Sequence, residues 1–317
     1  MKPFQTYRQQ IKILRARGLS ITGERAIKIL ERENYYNVVN GYKNLFLKVD
    51  KEGKFIEPEE FIDGASFDEI YKLYLFDREL RNILLKYLLQ FENSIKTKLS
   101  YRFSEKFKKP HAYLQMHNYS NKPDQLERIL KLIATLSTLI SKNSDRNNSL
   151  KHYLDNHGGI PLWVLVGYLT IGNISNFYMV LDDSLKDLIA KDFSKEFKKS
   201  YKQQLQISSA TLEDVLKAAN LFRNVCAHEE RMYNFKLYKA PRSRHNSNLL
   251  SIPTPHLEGT VFTMVAFLKL VLPKRDHKEL LINLRNLFLK YQANFNSIPF
   301  DQVLMKMGFP QEWESYF

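Results

Sequence analysis

Cysteine is almost absent from this chain, which has one in 317 residues. A single thiol can form neither an internal disulfide nor a cysteine-based zinc site, and such scarcity is typical of the reducing cytoplasm. Glycine and proline are also scarce, with 11 of each. Together with long runs rich in Leu, Lys and Glu, this scarcity favours helices over sheets. Cys226 falls in an apolar pattern and is predicted to be a packed thiol.

Long apolar runs are lacking as well. No stretch reaches the ~18 apolar residues that would span a bilayer, and the N-terminus lacks the apolar core of a signal peptide. We therefore expect a cytoplasmic protein with no membrane partner. Glycine-rich phosphate loops and the His and Cys spacings of zinc enzymes are also missing, so no metal and no cofactor is expected. Scattered acidic residues leave a two-metal nuclease open.

Positive charge is what the chain has in excess, with 48 Lys and Arg against 34 Asp and Glu and a formal net charge of +14. Basic side chains that neutralise phosphates release counterions, so this charge favours a polyanionic partner. A merely basic soluble protein is the alternative. Candidate RNA contacts lie in charged or irregular segments: Lys108, Lys109, Lys198, Lys199, Arg242, Arg244 and His245.

Helical periodicity organises most of the chain. Ser66 is a predicted cap for a long helix from Phe67 to Lys106. Asp77 and Arg81 fall on the apolar face of that helix at i and i+4, which predicts an internal ion pair. Glu92 lies at the edge of the same face and could pair with an arginine elsewhere or with a neighbouring lysine.

Aromatic residues are interpreted mainly as core. Tyr35 and Tyr36 could stack on bases, but helix packing is favoured because aromatic pairs usually fill cores. A further helix is predicted from Leu162 to Leu181, with Trp163 as a core residue.

The most informative stretch is residues 220–234. Arg223 falls inside an apolar helical stripe, so its permanent charge needs a protein carboxylate or a ligand phosphate as partner. On an ideal helix Arg223 and His228 are about 140° apart. The helix is therefore predicted to end or kink near Ala227 if the two side chains are to converge.

This stretch and three others resemble a known family. The pattern Arg223-Asn224-x-x-Ala227-His228-x-x-Arg231-x-Tyr233-Asn234 resembles the signature of the HEPN superfamily, as found in the Abi-like abortive-infection family (the AbiD/AbiF group). A bare Arg-x4-His pattern is weak evidence, whereas four ordered blocks are far more specific. The other blocks are Gly18-Leu19 with Asn34-Tyr35-Tyr36-Asn37 and Gly41-Tyr42, then Phe76-Asp77-Arg78-Glu79-Leu80-Arg81 with Glu92, and Pro161-Leu162-Trp163-Val164 with Gly172-Asn173-Ile174-Ser175.

The resemblance implies an all-α fold, with a HEPN-type helical bundle and basic loops over residues 66–317 and an N-terminal helical extension over residues 1–65. It also implies an antiphage abortive-infection ribonuclease, a toxin restrained by a regulatory or antitoxin RNA. Two copies would meet across a two-fold axis to form a composite site.

RNA carries its own nucleophile in the 2′-hydroxyl, so metal-free cleavage to 2′,3′-cyclic phosphate and 5′-hydroxyl ends is the chemistry we expect. His228 would move protons, Arg223 would stabilise charge on the scissile phosphate, and Asn224 would hold the imidazole or the phosphate. Supporting roles fall to Glu92, Arg231 and Asn234.

Alternatives remain open. Arg223 could simply pair with Glu92 inside the bundle while His228 caps a helix C-terminus. The same arginine and histidine could be phosphate ligands of a non-catalytic RNA-binding protein. A basic protein-interaction module is a third class.

Overall fold

The computed structural model describes residues 3–144, 149–239 and 243–317. The architecture is all-α, as predicted, and about 70% helical. Within those ranges no β-strand forms, and every helix is either too short or too polar to cross a lipid bilayer. The α-helices are α1 (Tyr7–Ala16), α2 (Arg25–Glu33), α3 (Phe67–Lys106), α4 (Leu126–Ser144), α5 (Ser149–His157), α6 (Leu162–Leu165), α7 (Ile171–Val180), α8 (Asp183–Tyr201), α9 (Ser209–Ala227), α10 (Ser243–Leu250), α11 (Val261–Val271), α12 (Lys274–Gln292) and α13 (Phe300–Lys306).

Helix α3 has the predicted bounds, and its start is capped as the sequence indicates. The Ser66 hydroxyl accepts from the Glu69 N–H at 3.2 Å, and the Glu69 carboxylate accepts from the Ser66 N–H at 3.1 Å. This capping box satisfies two backbone donors that the helix itself leaves without partners. Glu69 also accepts from the N–H groups of Asn296 and Ser297 at 2.7 and 2.8 Å. The first turn of α3 is thereby tied to the C-terminal segment of the chain.

The chain forms two compact units, each discontinuous in sequence. The first comprises the residues up to Leu84 together with Val225–Lys236 and Leu280–Phe317. The second comprises Leu85–Asn224 and Leu237–Glu279. The division into residues 1–65 and 66–317 stays a prediction, because compactness does not establish which segments fold independently.

Each unit has its own apolar core. In the first, the Phe76 ring meets the rings of Tyr291 and Phe300 edge to face, with centroid distances of 5.6 and 5.5 Å. In the second, Phe103 packs on Phe177 at 5.4 Å. Nearly every side chain of α11 is buried, as expected of a helix that is apolar on all faces.

The prediction of one continuous helix from Leu162 to Leu181 is wrong, because this segment forms separate shorter helices. Helix α6 ends at Leu165, and α7 begins only after Thr170. The Thr170 hydroxyl accepts from the Asn173 N–H at 3.2 Å, which makes Thr170 an N-cap. A local side-chain bond of this kind competes with helix continuation, and apolar periodicity does not reveal it.

Two aromatic predictions are also wrong. The sequence predicts Trp163 as a core residue and favours core packing over base stacking for Tyr36, yet the exposed fraction of Trp163 is 59% and that of Tyr36 is 71%. Aromatic rings fill cores on average, but a ring beside a helix end has fewer neighbours to cover it. Cys226 is buried, which confirms the predicted packed thiol.

Candidate functional site

The arginine-histidine motif lies at the C-terminal end of α9, which ends at Ala227 as predicted. The Glu230 N–H donates to the Val225 carbonyl at 3.0 Å, and Glu229 has a φ of 55°. Together these features are a Schellman arrangement, which ends a helix and reverses the chain. His228 directly precedes the left-handed position, which glycine usually occupies.

Asp77 of α3 holds the segment that follows this turn. Its buried carboxylate accepts from the backbone N–H groups of Met232 at 3.0 Å and Tyr233 at 2.6 Å. Arg81 donates to it at 2.7 Å, which confirms the predicted ion pair, and the Tyr42 hydroxyl donates at 2.7 Å. The four donors satisfy one carboxylate, so this network fixes the path of the chain.

Burial governs the ionisation of the network. Removal from water raises the pKa of the Asp77 carboxyl, while the hydrogen bond from Tyr42 and the charge of Arg81 oppose the rise. Burial, reinforced by the neighbouring Asp77, also raises the pKa of Tyr42 above its ordinary value. The phenol therefore stays protonated and continues to donate to the carboxylate.

His228 lines a cavity of about 730 Å³ in the first unit, together with Arg231 and Asn234. We call this the histidine cavity. Arg231 donates to the Gly41 carbonyl at 3.0 Å. Tyr36, at the start of a π-helical turn that spans Tyr36–Asn40, lies on the same lining. Charged residues of both signs also line the cavity: Arg81, Glu229, Glu230 and Lys236.

In the second unit, Arg223 and Glu92 form an ion pair. Arg223 Nε lies 3.7 Å from Glu92 Oε2, while Lys96 donates to Glu92 Oε1 at 2.7 Å. Glu92 thus contacts both kinds of partner that the sequence left open. In the part of the chain that the structure describes, neither Arg223 Nε nor Glu92 Oε2 has a hydrogen-bond partner, although both atoms are buried. Such atoms are uncommon in folded proteins, because a buried polar group without a hydrogen bond costs free energy.

Asn224 is half-buried beside Arg223 on α9. The predicted RNA contacts that the structure describes belong to the second unit, and Lys108 and Lys109 line a second cavity there. His245 Nε2 lies 3.1 Å from the Thr211 hydroxyl oxygen. The predicted contacts with exposed positions are Lys108, Lys109, Lys198, Lys199, Arg244 and His245, while Arg242 lies outside the described residues. Over the described ranges no group of three or more His, Cys, Asp or Glu is placed to hold a metal ion.

Trp163 was not predicted to line a cavity, and for Tyr36 an exposed, base-stacking role was only the less favoured alternative. The sequence carried a signal in both cases, because each residue closely follows a residue that interrupts helical structure. Asn34, with φ of 69°, precedes Tyr36 by two residues, and Pro161 precedes Trp163 by two. Such positions are less enclosed than those in the middle of a helix.

The helices and the motif that ends α9 define an all-α protein with an arginine-histidine signature. A family model described as Abi-like protein matches residues 28–234, which is more than half of the chain. The chain therefore belongs to the Abi-like protein family. Searches among curated proteins and among solved structures gave no significant match. Membership of this family indicates a role in abortive-infection defence.

Proposed function

We propose that this protein is an abortive-infection ribonuclease of the HEPN type that cleaves RNA without a metal ion. The observation that carries the proposal is the state of Arg223. Its guanidinium is held near Glu92, its side chain is 26% exposed, and its buried Nε has no hydrogen-bond partner among the described residues. A cation that is oriented but not saturated is preorganised to stabilise charge developing on a phosphate.

His228 would supply the proton transfer. It is exposed and lines the histidine cavity, so its imidazole is accessible to a substrate. It takes the proton from the 2′-hydroxyl, the 2′-oxygen attacks phosphorus, and the bond to the 5′-oxygen breaks. The leaving 5′-oxygen acquires a proton, which gives 2′,3′-cyclic phosphate and 5′-hydroxyl ends.

Neighbouring polar residues complete the proposed site. Asn224 holds the imidazole or the scissile phosphate through its amide, and Arg231 and Asn234 bind adjacent groups of the RNA. Glu92 aims Arg223. These roles are supported by the family match and by the positions of Arg231 and Asn234 on the histidine cavity.

One copy of the chain supplies one acid-base group, whereas the reaction needs both a base and an acid. We expect two copies to pair across a two-fold axis, so that each brings one histidine. A toxin of this kind must be restrained, and a regulatory or antitoxin RNA fits the formal net charge of +14. The expected compartment is the cytoplasm.

RNA cleavage in EDTA tests the proposal, with wild type compared with Arg223→Ala and His228→Ala at matched stability. We expect cyclic-phosphate ends from wild type and a loss of about 10²- to 10⁴-fold in rate in either variant. His117→Ala is the matched control, because His117 is exposed and should leave the rate unchanged.

A different outcome would replace the proposal. If wild type binds RNA with steep salt dependence but produces no cyclic-phosphate ends, the protein is a non-catalytic RNA-binding protein that uses Arg223 and His228 as phosphate ligands. Cleavage that requires a divalent ion would assign a metal-dependent nuclease instead.

A further inference from the structure

The second unit contains a cavity of about 370 Å³ that the proposed cleavage does not use. Phe103, Tyr113 and Ile160 form an apolar, buried floor. The Tyr113 hydroxyl donates to the Ile160 carbonyl at 2.8 Å, so the polar atom in this floor is satisfied. We call this the aromatic cavity.

The rim of the aromatic cavity is aromatic and basic. Trp163, with its exposed fraction of 59%, lines it together with the exposed side chains of Lys108 and Lys109. His111 and His157 add two imidazoles. None of the lining residues that the structure describes is acidic, which disfavours a cationic ligand.

Gly159 lets the backbone pass close to His111 and Pro110 on one side of the cavity. A Cβ added at Gly159 would come within 3.0 Å of His111 Nε2 and of the Pro110 side chain. On another wall, the rings of Tyr153 and His157 pack with their centroids 4.9 Å apart. The cavity therefore lies among aromatic and imidazole rings, and the lysines beside it carry positive charge.

We infer that the aromatic cavity binds a nucleotide, with Trp163 stacking on the base and Lys108 and Lys109 contacting the phosphate. An inorganic anion would leave the apolar floor and the exposed indole without a role, whereas a flat heterocycle with a phosphate uses both. The volume lies at the small end of the range for ligand pockets, about 300 to 1,000 Å³. Bases of a duplex are already stacked, so the ligand is a free nucleotide or one residue of single-stranded RNA. The inference rests on the proposed function only for the RNA form of the ligand.

The fluorescence of Trp163 reports the proposed stacking directly. The chain has two tryptophans, and the other, Trp313, is buried against Phe309. A Trp313→Phe variant therefore leaves Trp163 as the sole indole. We expect single-stranded oligoadenylate to quench its emission saturably, and titration with AMP separates the free nucleotide from the RNA source.

Substitutions then test each part of the site by RNA affinity. Trp163→Ala should weaken binding about 10-fold or more, while Trp163→Phe keeps most of the affinity. Replacing Lys108 and Lys109 together by Gln should reduce the slope of log affinity against log salt by about 0.7 for each phosphate that the lysines neutralise in wild type. A Lys142→Gln and Lys278→Gln double variant is the charge-matched control, since both lysines are exposed in the second unit outside this cavity.

Two results would overturn the inference. The first is emission from Trp163 that neither AMP nor oligoadenylate changes, whether or not an aromatic phosphopeptide quenches it. The second is an equal loss of affinity in the cavity variants and the control. Neither of these results bears on the proposed cleavage, which is tested separately by the rates of the Arg223 and His228 variants in EDTA.

Discussion

Two buried carboxylates, Asp77 in the first unit and Glu92 in the second, differ in how completely they are satisfied. Asp77 accepts from four donors, and its partner Arg81 also donates to the Glu230 carbonyl at 3.1 Å. Among the described residues, Glu92 Oε1 accepts from Lys96 at 2.7 Å, while Glu92 Oε2 has no hydrogen-bond partner and lies 3.7 Å from Arg223 Nε. The two ion pairs therefore differ in how fully they are hydrogen-bonded: Arg81 donates to groups of the fold, whereas the buried Arg223 Nε has no hydrogen-bond partner within the described ranges.

The largest expected effect comes from breaking the saturated network. Asp77→Asn would leave Arg81 as a buried cation without its counter-charge and would aim an amide N–H₂ at backbone donors. We expect the free energy of unfolding to fall by about 3–5 kcal/mol, measured by urea denaturation. Asp63→Asn is the control, because Asp63 is fully exposed beside Lys48 and should change little. An unchanged midpoint for Asp77→Asn would mean that the network does not hold the fold.

His277 is a third buried ionisable side chain, and it extends the comparison of Asp77 and Glu92 to a neutral group. Burial lowers the pKa of His277 to about 4. The hydrogen bond between its Nε2 and the Val265 carbonyl, at 3.1 Å, acts in the opposite direction and raises the pKa, but burial has the larger effect. The unfolded chain, with an ordinary histidine pKa of about 6.5, binds the proton more readily, so stability falls as pH drops from about 6.5 to about 4. The total loss should be roughly 3 kcal/mol. Unfolding measured across this range checks it, and His277→Gln should flatten the profile.

Glu92→Gln tests the less fully hydrogen-bonded of the two carboxylates. The substitution keeps the shape but removes the charge that we propose orients Arg223, so we expect cleavage to fall about 10- to 100-fold through misplacement of the guanidinium. Stability should change by only about 1 kcal/mol. Lys96→Met removes the other partner of Glu92 and serves as control, because it leaves the pair with Arg223 intact. Equal loss of cleavage in both variants would contradict the aiming role.

The smallest expected effect concerns Glu229, which has a left-handed backbone in the turn that ends α9. Glycine adopts this conformation without the clash of a Cβ, so Glu229→Gly should raise the free energy of unfolding by about 0.5–1 kcal/mol. Glu230→Gly, outside the left-handed region, should lower it instead. If both variants are destabilised, the turn carries no strain at Glu229.

Local features of the fold were predictable from the sequence. The cap at Ser66 and the ion pair of Asp77 with Arg81 depend on residues three or four apart. The end of α9 near Ala227 was predicted only as a condition for Arg223 and His228 to converge, and no side-chain pattern records the left-handed Glu229 that ends the helix. The all-α class follows from composition and period.

Contacts between distant segments were not predictable in the same way. The bond from Met232 to Asp77 joins residues 155 apart, and it uses a backbone N–H that no side-chain pattern records. Trp163 shows a second limit. Periodicity tells which face of a helix is apolar, but whether other elements cover that face is decided by packing.

The π-helical turn Tyr36–Asn40 has a consequence for how this protein tolerates changes in length. Such a turn corresponds to one extra residue within an α-helix. Deleting Asn37 would remove that extra residue, so the wide turn would close to α-helical geometry and the side chains within it would shift. Tyr36 would then leave the lining it shares with Gly41 and Arg231. Relatives that retain the histidine cavity are therefore expected to preserve the spacing here, even where the residues themselves differ.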